Sequence, residues 1–183
     1  MFSSTCLVMK NIFLLLLACS LCICAKAQIN PSKIRILPDY PTINTLKQLL
    51  AHFKDKPLFI DLWATWCVPC VQEFPDLVTI NHMYRDRDFK MITISSDEIK
   101  DKDKALNFLQ KRQSSTLNYI YSGDSKYKLI EAIDPKWQGA LPYTALIEPG
   151  GKVVYSKEGA FNADTLKKEI INNPLIGRIY KEQ

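Results

Sequence analysis

The rhythm of apolar and polar positions along this chain predicts strands that alternate with helices. Leu58 to Trp63 is a near-continuous apolar run, the pattern of a central strand covered on both faces. Before it, Ile43, Leu46, Leu49, Leu50 and Phe53 recur at helical spacing after a Pro-Thr start. After it, a helix is predicted from Val68 to Tyr84, with Leu77, Ile80 and Tyr84 on one face and a kink near Pro75. Phe89 to Ser95 reads as the next strand, and Lys104 to Arg112 as a helix with Ala105, Phe108 and Leu109 apolar. A short strand over Asn118 to Tyr121 and a short helix over Ser125 to Ile133 follow. Tyr143 to Ile147 and Lys152 to Ser156 form a hairpin about Glu148-Pro149-Gly150-Gly151. Asp164 to Ile171 closes the domain as a helix. Helices between strands, then a hairpin, then a last helix describe an α/β domain with a central mixed sheet flanked by helices.

The first 27 residues stand apart from this pattern. Lys10 gives a positive start, Ile12 to Cys24 an apolar stretch, and Ala25-Lys26-Ala27 a small-x-small cleavage site, so residues 1–27 read as a secretion signal. The apolar stretch falls short of the roughly 20 residues a spanning helix needs. Leu16-Leu17-Ala18-Cys19 offers a second reading, a bacterial lipobox that leaves a lipid anchor on Cys19. The residues beyond Cys19 stay apolar, which favours soluble secretion. Residues 28–183 then form one domain, long enough to bury a core. The C-terminus, Tyr180-Lys181-Glu182-Gln183, is not an ER retrieval signal, which favours a bacterial envelope or periplasm.

Charge adds little. Without Lys10 and Lys26 the chain carries 22 basic and 19 acidic residues, a net charge of +3. That is too mild to argue for nucleic acid or an anionic membrane surface. The mixed run from Glu98 to Lys104 reads as a solvated face.

Cysteine placement changes the picture. Of six cysteines, Cys6, Cys19, Cys22 and Cys24 lie in the signal segment, which leaves Cys67 and Cys70 in the domain. A disulfide between residues three apart closes almost no loop and adds little chain entropy to stability. The pair sits where the apolar strand stops and a helix starts. A thiol there is stabilised as thiolate by free backbone N–H groups and the helix dipole, and a second thiol one turn away can resolve a mixed disulfide. The segment reads as a thiol–disulfide exchange site outside the cytoplasm. Zinc would need four ligands, and His52 and His82 are distant, so no metal site is expected. No cofactor is expected either.

Trp63-Ala64-Thr65-Trp66-Cys67-Val68-Pro69-Cys70 resembles the active-site signature of the thioredoxin superfamily, in its extracytoplasmic TlpA/ResA/CcmG-like branch. Leu141-Pro142-Tyr143-Thr144 is similar to the family's cis-proline segment, and Glu148 to Val154 to its hairpin turn. The stretch from about 97 to 124 is similar to the family's insertion. The resemblance implies a thioredoxin fold, with Cys67 attacking and Cys70 resolving. It implies a cis Pro142 packed against the cysteines, with Leu141 offering backbone groups to a substrate strand beside Trp66. Asp61 matches the buried aspartate of thioredoxins, and Glu73 the active-site glutamate of the branch. A buried carboxylate has a raised pKa and can take the resolving thiol's proton. Carrying both acids departs from the branch's usual pattern.

The expected protein is a monomeric extracytoplasmic protein-disulfide reductase. Its implied partners are protein disulfides such as apocytochrome c and a membrane thiol-electron donor. Two alternatives come from other chemistry. A copper-handling protein would use both thiols as soft ligands, but the active-site segment lacks a further His or Met. A thiol peroxidase would need a P-x-x-x-T-x-x-C context, which is absent.

Overall fold

A computed structural model describes residues 34–37, 51–53, 56–85, 90–121, 131 and 133–172, and for 34–37 and 170–172 the backbone alone. The predicted signal segment, the Cys19 anchor and most of the two helices predicted before Leu58 and before Ile133 lie outside the described residues. Their ends at Ala51–His52 and at Glu131 and Ile133 are helical.

The described elements are β1 (Ile34–Leu37), β2 (Leu58–Trp63), α1 (Val68–Tyr84), β3 (Lys90–Ser95), a 3₁₀ turn (Ile99–Asp101), α2 (Lys102–Lys111), β4 (Leu117–Tyr121), β5 (Tyr143–Ile147), β6 (Val153–Glu158) and α3 (Ala163–Asn172). They build one mixed six-stranded sheet in the order β1-β4-β3-β2-β5-β6. β1 through β2 pair in parallel, and β5 and β6 add antiparallel strands. β1 carries no prediction from the sequence; it pairs in parallel with β4 from Ile34 opposite Asn118.

All six residues of β2 are buried, as its apolar run predicts. Phe59 and Trp63 point to one face, where Phe74, Leu77 and Ile80 of α1, Ala105 and Leu109 of α2 and Leu166 of α3 pack on them. Leu58, Ile60 and Leu62 point to the other, against Ile92, Ile94, Tyr119 and Ala145. Alternation of side chains along a strand makes this division. Asp61 shares the α1 face by the same rule. α1 runs on through Pro75, and the Thr79 hydroxyl donates to the Pro75 carbonyl at 2.9 Å. The β5–β6 turn places Gly150 and Gly151 at φ of 94° and 93°, a region that glycine enters without steric cost. The charged run after Asp97 is solvated as expected: Glu98, Lys100, Asp103 and Lys104 are exposed.

Candidate active site

β2 ends at Trp63 and α1 begins at Val68, so four residues carry the chain from strand to helix. Cys67 caps the helix. Its sulfur accepts the Cys70 backbone N–H at 3.3 Å, and its carbonyl accepts from Val71 N at 3.1 Å. Pro69 occupies the first turn, where a missing N–H leaves no helical bond unmade. Cys67 and Cys70 are joined as a disulfide. Their surroundings differ. Cys67 lies at the surface side, 5% exposed, between Trp66 at 61% and Val68 at 66%. Cys70 is fully enclosed.

Trp63 is the counterpart of Trp66. It is completely buried, with ring centroids 4.9 Å from Phe74 and 5.0 Å from Phe108. Trp137 packs on Tyr143 at 6.1 Å and donates its indole N–H to the Ala140 carbonyl. It belongs with the cluster on the face away from the cysteines.

The Leu141–Pro142 bond is cis, and Pro142 is buried. Leu62 pairs with Tyr143 at the end of the β2–β5 ladder, so one residue further Pro142 lies level with Trp63. That is the strand end from which the cysteine loop departs. Leu141 packs against the cluster that contains both cysteines.

Both predicted acids are buried on the α1 side. Asp61 Oδ1 accepts from the Thr144 hydroxyl at 3.3 Å, and Glu73 Oε2 accepts from Phe161 N at 3.0 Å. Asp61 Oδ2 and Glu73 Oε1 have no hydrogen-bond partner among the described residues. Burial pushes the Asp61 carboxyl well above the ordinary range, the Glu73 charge pushes it further, and Thr144 opposes both. Burial also raises Glu73, against the Phe161 N–H and the Lys157 charge, to about 7. Both acids are therefore held toward their neutral forms, and the Glu73 charge, once formed, helps to keep the Asp61 proton on.

The sequence reading passes over Asp97. This buried carboxylate ends the turn after β3 and grips the cysteine loop from behind. It accepts from Thr65 N at 3.0 and 3.2 Å, from the Thr65 hydroxyl at 2.7 Å and from the Ser95 hydroxyl at 2.7 Å. Trp66 is too exposed to anchor that loop by burial, so the Thr65–Asp97 bonds take the task. The only sequence signal was an Asp directly before a charged run.

Residues 26–173 match the model of the family described as Redoxin. The chain belongs to the Redoxin family. This Redoxin chain is 30% identical over 105 residues to the thiol-disulfide oxidoreductase ResA of Bacillus subtilis (strain 168), a match covering 57% of this chain and 54% of that one. It thus spans about half the length of that relative. It is 25% identical over 171 residues to ResA of Geobacillus thermodenitrificans (strain NG80-2), covering 90% and 94%. Its fold is similar to the thioredoxin-related protein from Neisseria meningitidis serogroup B, with a TM-score of 0.53 and 26% identity over 61% of this chain and 80% of that one. The fold is that of thioredoxin-like proteins, as the strand pattern and the cysteine motif imply.

Proposed function

We propose that this chain is an extracytoplasmic thiol–disulfide oxidoreductase that reduces protein disulfides through Cys67 and Cys70. One observation carries the reading. The two bonded sulfurs sit at a helix N-terminus in unequal surroundings, one at a surface rimmed by Trp66 and Val68 and one enclosed. The relatives named thiol-disulfide oxidoreductases support it.

In the reduced protein, the Cys67 thiolate receives the Cys70 N–H and the field of the helix N-terminus. It attacks one sulfur of a substrate disulfide. That S–S bond breaks, a Cys67–substrate disulfide forms, and the leaving thiolate takes a proton. Cys70 then loses its proton and attacks Cys67. The second substrate sulfur departs as thiolate, and the Cys67–Cys70 disulfide remains, so two electrons pass to the substrate. Glu73, ionising near 7, accepts the Cys70 proton, and Asp61 stays neutral beside it. Trp66 and the Leu141–Pro142 segment hold the substrate strand next to Cys67.

Residues 1–27 act as a secretion signal, placing the domain in the periplasm or on the outer face of the envelope. A membrane thiol donor recharges the dithiol, and substrates such as apocytochrome c are consistent with the resemblance to the ResA branch. The reduction potential of the Cys67–Cys70 couple tests the direction of flow. A value near or below roughly −270 mV is expected, whereas one near −120 mV would make the protein an oxidant. Failure of the reduced protein to reduce insulin would reject the activity itself.

A further inference from the structure

Asp61 belongs to a row of polar side chains that crosses the sheet. The register sets Asn118 of β4, Thr93 of β3, Asp61 of β2 and Thr144 of β5 side by side. All four are buried, and alternation puts them on the α1 face. A hydroxyl has one proton to donate. Thr144 gives its proton to Asp61. Thr93, the neighbour on the other side, gives its proton away from Asp61, to Asn118 Oδ1 at 2.7 Å.

The orientation of the Asn118 amide is fixed. Its Nδ2 donates to the Thr116 carbonyl at 3.0 Å, and turning the amide over would set two acceptors against each other there. Its Oδ1 also faces the hydroxyls of Thr116 at 2.7 Å and Ser114 at 3.3 Å. Three hydroxyls therefore converge on one amide oxygen, and the Thr93 proton is committed. Asp61 is left with one long hydrogen bond and an oxygen without a partner among the described residues. A charged carboxylate loses more from such treatment than a neutral carboxyl does.

We propose that Asn118 is a positioning residue for the acid pair: it captures the Thr93 proton, denies Asp61 a second donor, and so holds the Asp61 carboxyl in its uncharged form. The inference rests on the proton-handling role proposed for Asp61 and Glu73. The groups acting on Asp61 are Glu73 from α1 and Thr144 from β5, while Lys157 and Asp76 act on Glu73. Burial and the Glu73 charge raise the Asp61 carboxyl, and the Asn118 hub stops Thr93 from opposing them. With Asp61 uncharged, Glu73 is the acid of the pair that ionises near 7.

The test titrates Asp61 itself, by its carboxyl carbon resonance in the full-length oxidised protein, assigned with Asp61→Asn. Asn118→Ala frees the Thr93 hydroxyl to turn, and the Asp61 midpoint is expected to fall by about one pH unit as a donor reaches the charged form. Adding Thr93→Val removes that donor, and the midpoint is expected to return to within about 0.3 of the wild-type value. A loss of packing alone would not be rescued this way. An unchanged midpoint in Asn118→Ala, or an equal fall with and without the Thr93 hydroxyl, overturns the proposal. Should Asn118→Ala fail to fold, Thr93→Val alone decides: a midpoint within about half a unit of wild type supports the proposal, and a rise of about one unit shows that Thr93 already serves Asp61 and sinks it. Insulin reduction by the wild type is read in parallel. Its absence would reject the oxidoreductase reading while leaving the titration to judge Asn118.

Discussion

The front and the back of the dithiol are built from opposite materials. In front, Trp66 and Val68 stand in solvent around Cys67, Trp66 on the loop held by Asp97 and Val68 at the start of α1. Behind, Cys70, Trp63, Asp61 and Glu73 are buried, and two carboxyl oxygens lack partners among the described residues. Asp97 sharpens the contrast. It is a buried acid as well, but three groups donate to it, and it fixes backbone instead of standing undersatisfied. A buried carboxylate rich in donors holds shape, whereas one starved of donors keeps its proton to higher pH. The front thus suits attack and contact with a partner, and the back suits the handling of one proton.

The cysteines give the largest effect. Cys67→Ser should abolish insulin reduction, whereas Cys70→Ser should accumulate a mixed disulfide, visible by mass spectrometry after non-reducing gel separation. In the reduced protein at neutral pH, iodoacetamide should label Cys67 before Cys70. The reverse order would interchange front and back and undo the assignment of roles.

Next in size is the buried tryptophan. Trp63→Ala opens a hole between Phe74 and Phe108 and should destabilise the protein by about 3–5 kcal/mol, read from urea unfolding. A loss below about 1 kcal/mol would mean that the back of the site is not tightly packed.

Much of this arrangement is legible in the chain. β2 shows as an apolar run because it is buried on both faces, and α1 shows because Leu77, Ile80 and Tyr84 repeat at the helical period. The hairpin turn shows through its paired glycines. β1 does not show: four residues, Ile-Arg-Ile-Leu, are too few to set a period, and their partner strand lies more than 80 residues away. Asp97 and Asn118 escaped for a related reason. Their bonds to Thr65 and Thr93 span 32 and 25 residues, and such pairings leave no local pattern. Asp97 also precedes exposed charges that read as surface. The cysteines and both acids are legible because the motif fixes their spacing, but how strongly each acid holds its proton depends on burial and donors that only the fold supplies.

The acids come third. Glu73→Gln should slow the resolving step roughly 10²-fold, the scale of a positioned proton acceptor. Asp61→Asn copies an uncharged carboxyl and should slow it much less. In stopped-flow measurements the wild-type resolving rate should rise with pH through about 7, the Glu73 value, and the Glu73→Gln rate should lose that rise. If Asp61→Asn were the slower variant, Asp61 would be the acceptor in place of Glu73.

Stability carries the same signature at lower amplitude. The folded protein holds the Glu73 proton up to about 7, above the ordinary 4.5, so it binds more protons than the unfolded chain in between. Stability from this group is therefore full below about 4.5, falls as pH rises to about 7, and is level beyond. Glu73→Gln keeps an acceptor for Phe161 N but has no proton to lose. Relative to wild type it should gain about 2 kcal/mol between pH 5 and pH 8, at ~1.4 kcal/mol per pH unit of displacement. Equal pH dependence in the two proteins would remove Glu73 from the starved region.

The smallest effect tests the front. Trp66 exposes 61% of its surface, so Trp66→Ala should leave urea unfolding within about 0.5 kcal/mol of wild type. An exposed indole beside a reactive sulfur has value only when a partner covers it. With insulin as substrate, KM should then rise about fivefold, or about 1 kcal/mol, while kcat holds. A small disulfide such as oxidised glutathione covers little of the ring, and its rate should not change. A fall in kcat with both substrates would instead tie Trp66 to the position of Cys67, and the loop's grip would then depend on the ring as well as on Asp97. A loss confined to insulin keeps the two functions apart: Asp97 sets where the sulfur stands, and Trp66 sets what settles on it.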